Sequence, residues 1–126
     1  MPKKVTVRTG IPGETSNDRR LLSGVSAATS APTLKGDGVL LQRNEFIHLF
    51  FKLASADAAT FYTLQVWWYT PISGLWHKGE SFTVNANDLS TFEVQGMDRV
   101  YVQVTTVSTS DASSTLDAWV GLVVPV

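Results

Sequence analysis

Two histidines, His48 and His77, and no cysteine make up the chain's stock of the side chains that most often ligate metals or shuttle protons at neutral pH. Neither histidine has a second ligand type at i+2 or i+4, and the two fall on different expected strands. No thiolate nucleophile and no cysteine-based zinc site is possible without a thiol. Paired carboxylates are the next candidate chemistry, since glycosidases use two of them about 5–9 Å apart. Glu45, Glu80, Asp88, Glu93 and Asp98 are the acids to consider. Most of them lie in or beside expected turns, where a carboxylate serves its own backbone. Nucleophile-elbow, phosphate-loop and dinucleotide signatures are absent, and Gly36-Asp37-Gly38 reads as a turn before a strand. The expectation is a non-enzymatic chain with no catalytic residue, no metal ligand and no cofactor.

Aromatic side chains carry more information. The chain has 4 Trp, 3 Tyr and 6 Phe, and the strand alternation described below turns six of these rings away from the aliphatic face: Phe46, Phe50, Trp67, Tyr69, Tyr101 and Trp119. Contiguous exposed apolar area on a soluble monomer is uncommon, and Trp and Tyr lead the energetics of interfaces. These six are therefore the candidate subunit or partner contacts; coverage by loops or by the N-terminal section is the structural alternative. Trp67 and Tyr69, two apart on one strand, stand roughly 7 Å apart on one face. That spacing also suits stacking on successive sugar rings, which keeps a carbohydrate-binding module open as a second function, and a cross-strand cluster supporting the sheet as a third use of the pair.

The elements that position these rings are strands. From about residue 38 onward the apolar pattern has period two. Ile47, Leu49, Phe51 and Leu53 form one face of a strand whose other face holds Phe46, His48, Phe50 and Lys52. Tyr62, Leu64, Val66 and Trp68 alternate against Phe61, Thr63, Gln65, Trp67 and Tyr69. Val100, Val102 and Val104 alternate against Tyr101, Gln103 and Thr105, and Leu116, Ala118, Val120, Leu122 and Val124 against Asp117, Trp119 and Val123. Shorter strands are expected at 39–42, 74–77, 81–85 and 91–95. No sustained helical stripe exists; the best candidate, Ser55–Ala59, is one turn long. About eight short strands at this spacing predict an all-β fold, an antiparallel two-sheet β-sandwich, jelly-roll-like in strand number.

At 126 residues the chain is one domain, long enough to bury a core without staples. Its net charge of -1 conceals an asymmetry: residues 1–43 carry seven bases and three acids, a net of +4, and the rest a net of -5. The front section is rich in Gly, Ser, Thr, Ala and Pro and poor in large apolar residues, so residues 1–37 are expected to form a basic N-terminal arm or edge segment and residues 38–126 the sandwich body. Lys3, Lys4, Arg8, Arg19 and Arg20 are the candidate arm contacts. Balanced charge predicts no bulk attraction to nucleic acid or to an anionic membrane, and no apolar run reaches the ~20 residues of a membrane span. The Met1-Pro2-Lys3-Lys4 start is followed by no apolar stretch, so no secretory signal is expected.

The stretch 92–104, Phe-Glu-Val-Gln-Gly-Met-Asp-Arg-Val-Tyr-Val-Gln-Val, preceded by the Trp-rich strand at 66–70 and followed by a hydrophobic C-terminal strand ending Val124-Pro125-Val126, resembles small β-sandwich virion proteins of tailed bacteriophages: head decoration, head-fibre and collar or tail-accessory types. In the Gly-x-Asp-Arg portion, Gly96 permits a tight turn and Asp98 can bond the turn backbone before the chain enters a long strand. The resemblance covers about half the chain and is one of pattern. It implies a structural role in the virion after synthesis in the host cytoplasm, a closed homo-oligomer, and a major capsid or other virion protein as partner, with a decoration or cement protein first and a neck or tail accessory protein next. The chain departs from a fibre shaft in having no heptad or fibre repeat.

Overall fold

A computed structural model describes residues 5–8, 19–41, 46–94 and 97–125. Nine strands follow one another among the described residues: β1 (Val5–Arg8), β2 (Arg20–Val25), β3 (Val39–Leu40), β4 (Phe46–Ala54), β5 (Phe61–Thr70), β6 (Leu75–Val84), β7 (Asp88–Glu93), β8 (Arg99–Ser108) and β9 (Thr115–Pro125). A 3-10 turn, Lys35–Asp37, precedes β3, as expected of Gly36-Asp37-Gly38. No α-helix occurs among the described residues, and Ser55–Ala59 forms a turn-bearing connection.

The strands form two antiparallel sheets. One has the order β1-β9-β4-β7, with β2 also on β9; the other has the order β3-β8-β5-β6. β1 runs beside 122–125 of β9 and β2 beside 116–119, so the two lie end to end along one edge of β9. The first sheet is thus 2-9-4-7 and the second 3-8-5-6, which is the strand order of a jelly roll. Alternation explains why these segments choose strands: one face of each is apolar and the opposite sheet supplies the surface that buries it.

The inner faces are those the period-two pattern selects. Ile47, Leu49 and Phe51 of β4, Tyr62, Leu64, Val66 and Trp68 of β5, Val100, Val102 and Val104 of β8, and Leu116, Ala118 and Val120 of β9 are all buried. Between the sheets, Phe82 of β6 meets Phe51 at 5.6 Å and Phe92 of β7 at 6.2 Å, while Trp68 stands edge-on to Phe92 at 5.7 Å. The buried Tyr62 hydroxyl is satisfied by donation to the Val25 carbonyl at 3.0 Å.

Strand boundaries differ from the sequence reading in three places, the first being β3, which ends at Leu40 with Leu41 outside it. The expected strands at 74–77 and 81–85 are one strand, β6, interrupted by a bulge: Gln65 faces Ser81, whereas Trp67 faces Lys78. The last of the short strands begins at Asp88 rather than Thr91, because β4 offers Phe51 and Phe50 as ladder partners to Asp88 and Leu89. The N-terminal section supplies irregular edge strands: β2 pairs with β9 through two register shifts, Gly24 takes a positive φ of 56°, and Leu22 enters the core.

The ends of the sandwich are closed differently. At one, Asp57 and Asp111 clasp each other's loops: the Ala56 amide donates to Asp111 Oδ2 and the Ser110 amide to Asp57 Oδ2, both at 2.8 Å. At the other, the Asp98 amide donates to the Tyr69 carbonyl and the Leu41 amide to the Asp98 carbonyl, tying the connections before β4 and β8 to the end of β5. The Asp98 carboxylate lies 3.6 Å from Arg99 Nε, and the Gly96 turn expected before it lies outside the described residues.

Candidate functional site

Cross-strand register assigns the outward side chains to rows. On the 3-8-5-6 sheet, one row runs Leu40, Arg99, Tyr69, Trp76 and the next runs Tyr101, Trp67, Lys78. On the opposite sheet a row runs Arg20, Trp119, Phe50, Leu89, followed by Gly121, His48, Thr91. The candidate aromatics therefore divide between two outer faces turned away from each other. Trp67, Tyr69 and Tyr101 share one face, Phe50 and Trp119 the other. Phe46 begins β4, and its side chain lies outside the described residues.

Each ring on the first face has a partner within the chain. Trp67 Nε1 donates to Gln103 Oε1 at 2.9 Å, and the Lys78 ammonium lies 5.7 Å above its ring. The Lys35 ammonium lies 5.7 Å from the Tyr69 ring centre. Tyr101 donates its hydroxyl to the Ser30 carbonyl at 2.8 Å, and burial of the phenol raises its pKa. A fourth ring, Trp76, joins them: it stands edge-on to Tyr69 at 5.5 Å and to Tyr101 at 6.1 Å, and its Nε1 donates to the Leu34 carbonyl at 3.0 Å. Trp76 was not among the sequence candidates. It reaches this face because of the bulge in β6; counted back from Ser81 without it, Trp76 would stand opposite Thr70 on the core side.

The bulge has its own support. Gln65, buried on the outer face, donates Nε2 to the carbonyls of Gly79 at 2.8 Å and Glu80 at 3.2 Å, the groups that the broken ladder leaves over. Gly79 is required by a close approach: a Cβ there would fall 2.3 Å from Trp68 Nε1. Exposed apolar side chains stand on the connection before β3, with Leu34 69% exposed, and around the β5–β6 turn, with Ile72 91% and Leu75 61% exposed.

On the second face Arg20 caps Trp119, its guanidinium carbon 4.9 Å from the ring centre, while Arg20 Nη2 also bridges to Asp117 at 2.5 Å. Asp117 Oδ1 further accepts the Gly24 amide at 2.8 Å. His48 lies 6.0 Å from Phe50, and Leu89 is exposed. Of the expected arm contacts, Arg19 is buried and donates to the Leu40 carbonyl at 2.9 Å, and Arg20 is engaged as just described. Arg8 belongs to β1, its side chain outside the described residues, as are Lys3 and Lys4.

The histidines sit on opposite sheets. His48 Nδ1 shares a hydrogen bond with Thr91 Oγ1 and His77 Nε2 with Ser73 Oγ, each at 2.7 Å. The candidate acids are dispersed: Asp88 and Glu93 at the two ends of β7, Glu80 on the bulge of β6, Asp98 between β7 and β8, and Glu45 outside the described residues. No group of three or more acidic or imidazole side chains able to hold a metal ion occurs among the described residues, and no described helix is long and apolar enough to cross a membrane. No protein-family model matches the chain, and no curated protein is similar to it.

Proposed function

We propose that the chain is a non-enzymatic structural protein of a tailed-bacteriophage virion, a decoration or cement protein that packs against its own copies and against the assembled head. The observation that carries this reading is the division of the outward aromatics between two opposite faces of one sandwich. A chain that must hold a neighbouring subunit and a shell at once needs two separate contact surfaces, and Trp and Tyr are the residues that anchor such surfaces. Jelly rolls serve in capsid proteins, and also in lectins. Sugar stacking on Trp67 and Tyr69 is the less favoured use of this face, because the two rings already carry the Lys78 and Lys35 ammonium groups. Lys3, Lys4 and Arg8, reaching a neighbour or the shell, would orient docking more than they would add affinity.

The test is the Trp67→Ala, Tyr69→Ala double variant, mixed with assembled heads lacking the protein and sedimented. Loss of co-sedimentation with unchanged β-sheet content is expected. Full co-sedimentation together with loss of signal on a glycan array would replace the decoration reading by the carbohydrate-binding one.

A further inference from the structure

The connection from β2 to β3 does not leave the sandwich. Thr29 lies against the edge of β8, donating its amide to the Val104 carbonyl at 2.8 Å and accepting the Val104 amide on Oγ1 at 2.9 Å. From there the chain passes along the rim of the aromatic face. It is fastened at four points: Tyr101 to the Ser30 carbonyl, Trp76 to the Leu34 carbonyl, Lys35 to the Tyr69 ring, and Arg99 Nη1 to the Gly38 carbonyl at 3.4 Å. Trp76 rests on the Gly38 backbone so closely that a Cβ there would fall 2.2 Å from its Cη2.

What this segment lacks is burial. Thr33 to Asp37 are all exposed, so these five residues add no buried side chain to the core. They keep their shape through one carboxylate: Asp37 Oδ2 accepts the Leu34 amide at 2.8 Å and the Thr33 amide at 2.9 Å, while the Asp37 amide donates to the Leu34 carbonyl at 3.0 Å. Backbone held by polar clips with few apolar contacts is the part of a protein that opens locally.

We infer that residues 33–38 form a strap that closes over the Tyr69, Trp76 and Tyr101 cluster and lifts as a unit separate from the sandwich, an autoinhibitory contact that controls when these rings are available. The use of this motion, though not the motion itself, rests on the reading of this face as a docking surface. When the strap lifts, Trp76 loses its carbonyl acceptor on Leu34 and the Gly38 backbone it rests on, and the Lys35 ammonium leaves the Tyr69 ring. The Tyr69 and Trp76 rings are then uncovered together.

Amide exchange on the full chain tests the strap directly. The amides of Thr33, Leu34 and Asp37 should exchange at least about tenfold faster than those of Val66 and Val102, through an opening insensitive to low urea. Asp37→Ala removes the carboxylate acceptor, and Trp76→Phe removes the N–H while keeping a ring. Both should accelerate strap exchange further and leave β5 and β8 unchanged. The probe for the uncovered rings is the dye 1-anilinonaphthalene-8-sulfonate, whose fluorescence should rise in Asp37→Ala at unchanged far-ultraviolet circular dichroism. Strap amides that exchange with those of β5 and share their urea dependence would overturn the inference, as would accelerated exchange in Asp37→Ala without a gain in dye binding. Neither readout involves a head or a glycan, so failure here is distinct from failure of the docking reading.

Discussion

Gly79→Ala probes the feature that builds the aromatic face. The added Cβ would fall 2.3 Å from Trp68 Nε1, 2.6 Å from Trp68 Cδ1 and 3.2 Å from the Val66 carbonyl oxygen. Trp68 has little room to retreat, because it is buried and stands edge-on to Phe92 at 5.7 Å. Overpacking of this kind costs about 1–3 kcal/mol. Stiffening of the unfolded chain returns roughly 0.4–1 kcal/mol, which leaves a net loss of roughly 0–2.6 kcal/mol. With a urea slope of about 1.5 kcal/mol per molar, the unfolding midpoint should fall by up to roughly 1.7 M. The assay is urea unfolding followed by tryptophan fluorescence. Gly36→Ala is the control, since a Cβ there has nothing within 4 Å; it carries the same stiffening without the overpacking and should exceed Gly79→Ala in stability by about 1–3 kcal/mol. Equal stability of the two variants would refute the close approach and with it the account of why β6 bulges where it does.

Two further outcomes are open to simple measurement. Asp57 and Asp111 have lowered pKa values because backbone amides donate to them, from Ser110 and Ala56 first; the stabilisation is therefore complete above the ordinary carboxylate range near 4 and is lost as pH falls through the lower folded values. Acid titration of thermal stability should show a shallower decline in the Asp57→Asn, Asp111→Asn double variant than in the parent, and identical slopes would remove the clasp from the explanation. Deletion of residues 1–18 removes Lys3, Lys4 and Arg8 with β1 but leaves Arg19 and Arg20 in place; the sandwich should keep its circular dichroism and bind heads more weakly, and unchanged binding would take the docking role from the arm.

The core was legible because alternation in β4, β5, β8 and β9 is a direct consequence of one face being buried, and a one-residue error would have reversed each strand. Ile47, Leu49, Tyr62, Val66, Val102 and Val120 are buried as their parity requires. The outward aromatics were legible as a set, but their division between two faces was not, since that depends on which strand joins which sheet. Trp76 was missed for a local reason. The Lys78-Gly79-Glu80 stretch reads as a break between strands, and only the bulge, with Gln65 satisfying its carbonyls, makes β6 continuous and turns Trp76 outward. Arg19 was equally hidden: a basic residue in a turn-rich section carries no mark of burial, and its place is set by the Leu40 carbonyl, 21 residues away.

The central claim is that the two outer faces make contacts between molecules, and the mass of the purified full chain in solution tests it most directly. Size-exclusion chromatography with light scattering at micromolar concentration should give a closed oligomer, a whole-number multiple of the 13.7 kDa chain, and the Trp67→Ala, Tyr69→Ala variant should give a smaller species with the same β-sheet signal. A 13.7 kDa particle for the parent at every concentration, with the double variant indistinguishable from it, would contradict the claim.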